Sequence, residues 1–440
     1  MDAIIAPILI AIFAIGYLAI TLEYTIKIDK LIPALIMMSL LWTMVSIFHL
    51  PVFTIADGLM PSHMEEILTH HLGKTAEILI FLIGAMTIVE IVDHFNGFGS
   101  IKQFVRTKER KVLLWIVGCL AFTLSAIIDN LTATIILVTI LKKLVPEEKT
   151  RTWYICMIII AANAGGAWSP IGDVTTTMLW IGDKVTAGKL VNHLFLPSFV
   201  CMALPIFIAS LLPIFQGRIE IPKTDSNDKK ASLSMLIIGL GAIMFVPIFK
   251  TMTHLPPYVG MMLSLAVVAM VAEIKSHREF KMSERGEGTA HHSSVHKSLS
   301  KIEMPSILFF LGILMAVAAL ESIGMIFQAG QSVRNLIPDD IFVVLLGFGS
   351  AIIDNVPLVA ASMGMFQLPT DHYIWHFIAY SAGTGGSMLI IGSAAGVVAM
   401  GMEKISFMWY LKNIAWLAMI GFLSGCVVFL LLVRPEVFGF

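Results

Sequence analysis

Long apolar runs separated by short polar segments dominate the pattern of this 440-residue chain. Ten of them have the length that an α-helix needs to cross the hydrocarbon core of a bilayer. The predicted spans are 3–22, 31–49, 77–95, 152–181, 191–214, 232–249, 257–273, 305–325, 373–402 and 408–433. Two further apolar runs, 112–141 and 340–366, each contain an Asp-Asn pair. The pattern predicts an all-α membrane protein with about ten full transmembrane spans, and a lipid bilayer as its partner.

The two Asp-Asn pairs end identical strings. The sequence SAIIDN occurs at 125–130 and again at 350–355. About 35 positions later each string is followed by a glycine-rich segment, at 165–173 and at 385–393. Both the order and the spacing of the motifs are therefore repeated.

A third match lies upstream of the strings, where Ile80–Gly84 is similar to Leu308–Gly312. Three matches in the same order indicate an internal repeat. We therefore predict two related domains, residues 1–220 and residues 228–440.

Basic residues discriminate between two topologies, because Lys and Arg accumulate in cytoplasmic loops. If 112–141 and 340–366 are re-entrant hairpins and the N-terminus lies outside, the cytoplasmic segments carry 22 Lys and Arg residues and the external segments 6. If each run crosses once, the counts become 12 and 16. The hairpin topology is favoured, and the odd number of crossings in each half then inverts the second half relative to the first.

Glycines interrupt the two longest predicted spans, 152–181 and 373–402, and Pro170 also interrupts the first. Non-helical backbone at membrane depth is tolerated only where protein buries it or where it lines a wet cavity. The freed helix ends expose backbone dipoles that can hold ions. Two broken helices and two hairpins in an inverted repeat are the layout of secondary transporters.

The composition agrees with an integral membrane protein and excludes several functions. Hydrophobic residues make up 57% of the chain and charged residues 13%. The net charge of −1 gives no reason to expect a nucleic-acid partner. The four cysteines show no disulfide or metal-ligand spacing. No HExxH motif and no Tyr-Asp pair occurs, so neither a zinc protease nor an intramembrane aspartyl protease is expected.

Acidic side chains inside apolar runs are the candidates for chemistry, because a charge in the membrane is costly. Asp129 and Asp354 occupy equivalent hairpin tips, whereas Asp173 has Ser393 as its counterpart. We therefore place the principal cation site in the first half, with Asp129 and Asp173 as the Na⁺-binding carboxylates. Each of these aspartates could instead only cap a half-helix. Glu90 and Asp93, near the inner end of one span, are candidate proton-access residues.

Hard oxygen ligands surround these aspartates in the sequence and suit a hard cation. Side-chain amides and hydroxyls are available from Asn130, Thr132, Thr175, Thr176 and Asn355. Protons and Na⁺ can compete for the same carboxylate oxygens, which is the minimum requirement for exchange.

Four motifs resemble those of the NhaD-type sodium/proton antiporters of the ion transporter superfamily: SAIIDNLTAT (125–134), NAGGAWSPIGDVTT (163–176), SAIIDNVPLVA (350–360) and SAGTGGSMLIIGSAAG (381–396). The resemblance implies an inverted repeat with two hairpins and two unwound helices, a homodimer, and Na⁺ or Li⁺ exchanged for H⁺ without a cofactor. The residues that match the motifs are Asp129, Asn130, Thr132, Asn163, Asp173, Thr175, Thr176, Ser350, Asp354 and Asn355.

The expected function is a secondary antiporter that exports sodium, located in a bacterial inner membrane. A sodium-coupled symporter of dicarboxylates or related anions is the alternative, because it would share the fold. Acidic residues without a basic partner in the expected site repel an anion, so a cation is the favoured substrate.

Overall fold

The computed structural model describes residues 5–55, 59–104, 107–219, 232–283 and 298–435. In these ranges the chain is almost entirely helical. The α-helices are α1 Ile5–Thr21, α2 Glu23–Ile26, α3 Leu31–Ile47, α4 Met64–His94, α5 Arg110–Ile128, α6 Asn130–Leu144, α7 Glu148–Ala167, α8 Val174–Ile181, α9 Ala187–Ser210, α10 Leu233–Thr253, α11 Pro257–Ser283, α12 Met304–Ser322, α13 Met325–Arg334, α14 Asp339–Ser350, α15 Asn355–Met365, α16 Tyr373–Gly385, α17 Ala394–Glu403, α18 Phe407–Asn413 and α19 Ala415–Val433. Short 3₁₀ helices cover Gly97–Phe104 and Pro213–Phe215.

Seven helices of the described ranges are long and apolar enough to cross a bilayer. They are α4, α5, α9, α10, most of α11, α12 and α19. The helices α1 and α3 have 17 residues each and fall just below that length. The predicted spans 152–181 and 373–402 are each divided into two shorter helices, since glycines interrupt both and Pro170 also interrupts the first.

The segment before the third predicted span departs from an all-helical expectation. Val52–Ile55 pairs antiparallel with Leu59–Ser62. The helix α4 then begins at Met64, well before residue 77, so His70 and His71 lie on a helix rather than in a loop. Apolar periodicity misses this first part of α4 because its turns are polar.

The helices α5 and α6 form a hairpin against α7. Only Asp129 separates the two helices. At the far end of the hairpin, the hydroxyl of Tyr154 in α7 donates to the carbonyl of Arg110 at 2.7 Å, and Arg151 donates to the carbonyl of Val145 at 3.0 Å. At the turn, Asn130 reaches Asn163 near the end of α7. Both ends of this first hairpin therefore lie beside the beginning of α7.

The helices α14 and α15 form a second hairpin against α16 in the same manner. Arg434 contacts both Asp340 at the start of α14 and Tyr373 at the start of α16. The rings of Phe366, just after α15, and Trp375 lie 6.2 Å apart. The open end of the second hairpin therefore lies beside the beginning of α16.

The same hydrogen bond joins each hairpin to its partner helix. Ser125 Oγ donates to the carbonyl of Ala162 at 2.5 Å, and Ser350 Oγ donates to the carbonyl of Ala382 at 2.7 Å. These two contacts lie in corresponding motifs of the two halves. The serine that begins each string thus makes the same contact in both halves.

The helix pairs α7–α8 and α16–α17 run in opposite directions. At one side of the molecule Asp371, before α16, contacts Lys184 and Thr186, which follow α8. At the other side Glu403, which ends α17, forms an ion pair with Arg151 in α7 at 2.9 Å. The two broken helices therefore cross the molecule side by side, with their interruptions at the same level.

Two clusters of buried apolar residues make up the described core. The larger contains both hairpins and both broken helices together with α9 and α19. The smaller is built from α1, α3 and α12 and contacts α15 through Val356 and Ala360. The second hairpin therefore lies between the two clusters.

Candidate functional site

Asp129 occupies the turn of the first hairpin with an unusual backbone. Its φ of 89° and ψ of 157° lie in a region that is essentially restricted to glycine. The carboxylate accepts hydrogen bonds from the backbone N–H and the hydroxyl of Thr132, both at 2.8 Å. Asp129 thus caps α6, as the capping hypothesis states, and its carboxylate is held in one orientation.

The amides next to this turn connect the two halves of the chain. Asn130 Nδ2 donates to Asn163 Oδ1 at 3.3 Å. Asn163 Nδ2 in turn donates to Ser393 Oγ at 3.1 Å, in the interruption of the second broken helix. All three side chains are buried. The first hairpin and both interruptions therefore meet in one polar layer.

Asp173 lies in the same layer, at the beginning of α8. It is 5% exposed, and its Oδ2 accepts hydrogen bonds from the hydroxyl of Thr175 and the amide of Asn355, both at 2.9 Å. The hydroxyl of Thr176 donates to the Asp173 carbonyl. Asn355 belongs to the second hairpin, so a carboxylate of one half is bound by an amide of the other.

Asp354 has a different environment from Asp129 although the two have identical preceding sequences. Its φ is −49°, and its side chain makes no capping hydrogen bond to α15. Lys30 Nζ lies 3.3 Å from Asp354 Oδ2, and both side chains are partly exposed. Asp354 is therefore ion-paired, whereas neither Asp129 nor Asp173 forms an ion pair with a Lys or Arg of the described ranges.

Two cavities reach this polar layer. One of about 350 Å³ is lined by Asp354, Ser393 and Lys30. The other, of about 390 Å³, is lined by Thr132 together with Glu90 and Asp93. The second cavity connects the candidate proton-access residues with the hydroxyl that binds Asp129.

Glu90 is not isolated in that cavity. Lys301 Nζ lies 2.6 Å from Glu90 Oε1, and this hydrogen bond raises the pKa of Lys301. Asp93 is exposed at the same cavity. Ionic groups at the mouth of a cavity can exchange protons with solvent, which agrees with the expected location of both acids.

A third cavity of about 600 Å³ lies away from the first two and is lined by Glu321, Lys74, Lys184 and His71. Burial lowers the pKa of Lys184. Glu321 is the residue that the internal repeat aligns with Asp93. Acidic groups at matching positions thus line separate cavities.

The structure brings together most of the residues expected at the site. Asn130 and Asn163 form one hydrogen-bonded group with Ser393, and Asp173, Thr175 and Asn355 form another, so that each group joins the two halves. Asp129 and Thr132 form their own pair beside this layer. Ser350 is bound to a backbone carbonyl and holds the hairpin against α16.

Two residues in contact with these side chains were not among the expected set. One is Ser393, which the internal repeat identifies only as the counterpart of Asp173. Lys30 lies 324 positions before Asp354 in sequence, and a single Lys before a predicted span carries no signal of its own. In the described ranges, including this site, no group of three or more His, Cys, Asp or Glu side chains is placed to hold a metal ion.

The chain is similar to one protein-family model and to several named relatives. Residues 17–377 match the family model described as citrate transporter. Sodium/proton antiporter 1 of Arabidopsis thaliana is 42% identical over 95% of this chain and 71% of its own length. The Na(+)/H(+) antiporter NhaD of Vibrio cholerae serotype O1 is 30% identical over 96% of this chain and 90% of its own. The chain belongs to the citrate transporter family and, within it, is of the NhaD type.

A solved structure supports the fold of this NhaD-type protein. The Alcanivorax borkumensis YdaH transporter is similar with a TM-score of 0.61, over 91% of this chain and 98% of that one. The sequence identity is only 12%, so the likeness concerns the fold alone. The resemblance that the four motifs carry is confirmed, and the protein is a transporter rather than an enzyme.

Proposed function

We propose that this protein is a secondary active antiporter that exports Na⁺ or Li⁺ in exchange for H⁺ by alternating access. The observation that carries the proposal is the buried carboxylate of Asp173, bound by Thr175 and by Asn355 of the opposite half. The two groups that donate to this carboxylate are a hydroxyl and an amide. The oxygens of both groups suit a hard cation when they turn toward it. The relatives named as sodium/proton antiporters agree with this chemistry.

The proposed architecture is an inverted repeat with about ten full spans. Residues 1–220 form the first repeat, with the re-entrant hairpin 112–141, and residues 228–440 form the second, with the re-entrant hairpin 340–366. The opposite directions of the two broken helices support it, as do the equivalent hairpin contacts of Ser125 and Ser350.

Proton and cation compete for one set of oxygens in the proposed cycle. A protonated Asp129 or Asp173 loses the charge that attracts Na⁺, and a bound Na⁺ disfavours protonation. Glu90 and Asp93 pass protons between the cavity mouth and Thr132, which binds Asp129 directly. The hairpins and broken helices carry the site from one side to the other.

The protein is an integral, multi-pass membrane protein embedded in a lipid bilayer. Beyond this, the proposal places the N-terminus outside and the cytoplasmic loops on the side rich in Lys and Arg. It includes a bacterial inner membrane as the location, a homodimer as the assembly, and a transport cycle without a cofactor.

Symport of citrate or another dicarboxylate is the second candidate, because the family model bears that description. The polar layer contains the carboxylate of Asp173, and among the described residues that form it there is no Arg that could bind a carboxylate in a bidentate manner. The candidate is therefore less supported than cation exchange.

Purified protein in liposomes containing a pH-sensitive dye tests the two functions against each other. An outward or inward Na⁺ gradient should move protons in the opposite direction, and Asp173→Asn should abolish this signal. Citrate uptake driven by Na⁺, without proton movement, would replace the antiporter by the symporter.

A further inference from the structure

Lys30 connects two parts of the molecule through its contact with Asp354. It precedes α3, which packs on α12 in the smaller apolar cluster. Asp354 lies at the turn of the second hairpin. The distance of 3.3 Å between Lys30 Nζ and Asp354 Oδ2 thus spans the boundary between that cluster and the hairpin.

The cavity around this ion pair is acidic. Glu23, Asp29 and Glu303 line it together with Asp354, and Lys30 is the only basic residue among the described residues that line it. The Lys30 ammonium also lies 4.4 Å above the ring of Phe309. This cavity therefore attracts cations, and one tethered cation, the Lys30 ammonium, already pairs with Asp354.

An unpaired hydroxyl adds an independent observation. Tyr17 Oη is buried at the wall of the same cavity and has no hydrogen-bond partner in the described part of the chain. A buried hydroxyl without a partner is uncommon and costs free energy. Its oxygen is available as one more neutral ligand beside Asp354.

We propose that Lys30 is a tethered competitor of the transported cation: its ammonium occupies Asp354 while no ion is there, and an arriving Na⁺ displaces it. The proposal rests on the Na⁺ binding that the antiporter function requires. Two cations at one carboxylate repel each other, so each weakens the binding of the other. Displacement of Lys30 also breaks its link to the second hairpin, so that ion arrival frees the hairpin to move.

The strength of this competition is limited because both partners are partly exposed. Ion pairs of this kind contribute little to stability, and their effect on a competing ligand is of the same order. Removal of the Lys30 charge should therefore tighten Na⁺ binding about two- to fivefold.

Equilibrium binding of radioactive Na⁺ to the purified full-length protein, at one alkaline pH and constant ionic strength, measures the effect directly. Lys30→Gln should bind Na⁺ more tightly than the wild type. Lys27→Gln removes an exposed charge from the same segment between α1 and α3. This variant should bind Na⁺ as the wild type does. In an Asp354→Asn background, Lys30→Gln should have no further effect.

Two results would overturn the proposal. They are equal Na⁺ affinity of Lys30→Gln and wild type, whatever the thermal stability of the variant, and an effect of Lys30→Gln that persists in the Asp354→Asn background. Lys30→Arg keeps the charge and should keep the weaker wild-type affinity, which guards against a folding defect. Na⁺ affinity is measured without transport, so the two proposals can fail separately. A protein that binds Na⁺ but exchanges no protons would contradict the antiporter function, and the effect of Lys30 on Na⁺ affinity could still be measured.

Discussion

At the scale of single residues, Asp129 combines a strained backbone with a carboxylate held by two hydrogen bonds. A non-glycine residue in this region of φ and ψ costs about 1–3 kcal/mol and persists only where its surroundings impose it. Asp354, with the same four preceding residues, has φ −49° and no such strain. The two hairpin turns are therefore unequal in conformation as well as in charge environment.

This difference predicts the order of two stability changes. Asp129→Gly and Asp129→Ala both lose the bonds to Thr132, but only glycine is relaxed at φ 89°. We expect Asp129→Gly to be more stable than Asp129→Ala by about 1–3 kcal/mol, measured as a higher unfolding midpoint in detergent. Asp354 is the matched control. Because its φ is negative, Asp354→Ala should be at least as stable as Asp354→Gly. A more stable Asp129→Ala would contradict the strained turn.

A second prediction concerns transport by the same residues. Asp129→Asn and Asp173→Asn should abolish Na⁺-driven proton exchange, because in the proposed cycle each removes a charge that binds Na⁺ and accepts a proton. Asp354→Asn should keep weakened exchange with an altered apparent Na⁺ affinity, because its charge is shared with Lys30. Initial rates in liposomes at matched reconstitution, with Asp→Glu variants as geometric controls, measure this. An inactive Asp354→Asn beside a normal Asp173→Asn would move the main site to the second half.

At the scale of elements, each hairpin approaches its partner helix so closely that only glycine fits. A Cβ on Gly165 would lie 2.2 Å from the carbonyl oxygen of Phe122, and a Cβ on Gly385 would lie 2.2 Å from that of Gly347. Backbone atoms cannot withdraw as a flexible side chain can. The contact between hairpin and broken helix thus depends on corresponding glycines in the two halves.

Alanine at either glycine should therefore separate the hairpin from its helix. We expect Gly165→Ala and Gly385→Ala each to lower stability by about 1–3 kcal/mol or more, measured as the unfolding midpoint in detergent. Gly73→Ala in α4 is the control, because a Cβ there meets nothing within 4 Å and should be neutral or stabilising by up to about 1 kcal/mol. If the first two variants are as stable as Gly73→Ala, the close approach does not exist.

At the scale of the whole molecule, the two broken helices run antiparallel and place both interruptions in one buried layer. The Asn163 amide donates a hydrogen bond to Ser393, and the Asn355 amide donates one to Asp173. Each half thus completes the polar environment of the other. Such an arrangement suits alternating access, because a movement of the hairpins exposes the layer to either side.

The topology predicts the side from which inserted cysteines react. Both ends of the first hairpin lie beside the beginning of α7. Lys108→Cys and Lys149→Cys should therefore react with a membrane-impermeant thiol reagent from the same, cytoplasmic side, and Lys189→Cys from the other. The background lacks Cys119, which is the exposed native cysteine of the described residues. Reaction of the first two positions from opposite sides would exclude the re-entrant hairpin and the inverted repeat.

The sequence by itself determined the helical membrane class, the repeated motifs and the NhaD-type family, because hydropathy and identical strings are local properties of the chain. It also identified Asp129, Asp173 and Asn355 as candidate site residues, since polar residues inside apolar runs are easily recognised. Only the tertiary structure decided that Asp173 is bound by Asn355, and that Asp354 is paired with Lys30. Those contacts join residues 182 and 324 positions apart, and no local pattern records such distances. The different turns at Asp129 and Asp354 were decided in the same way, because the same six residues meet different neighbours in each half.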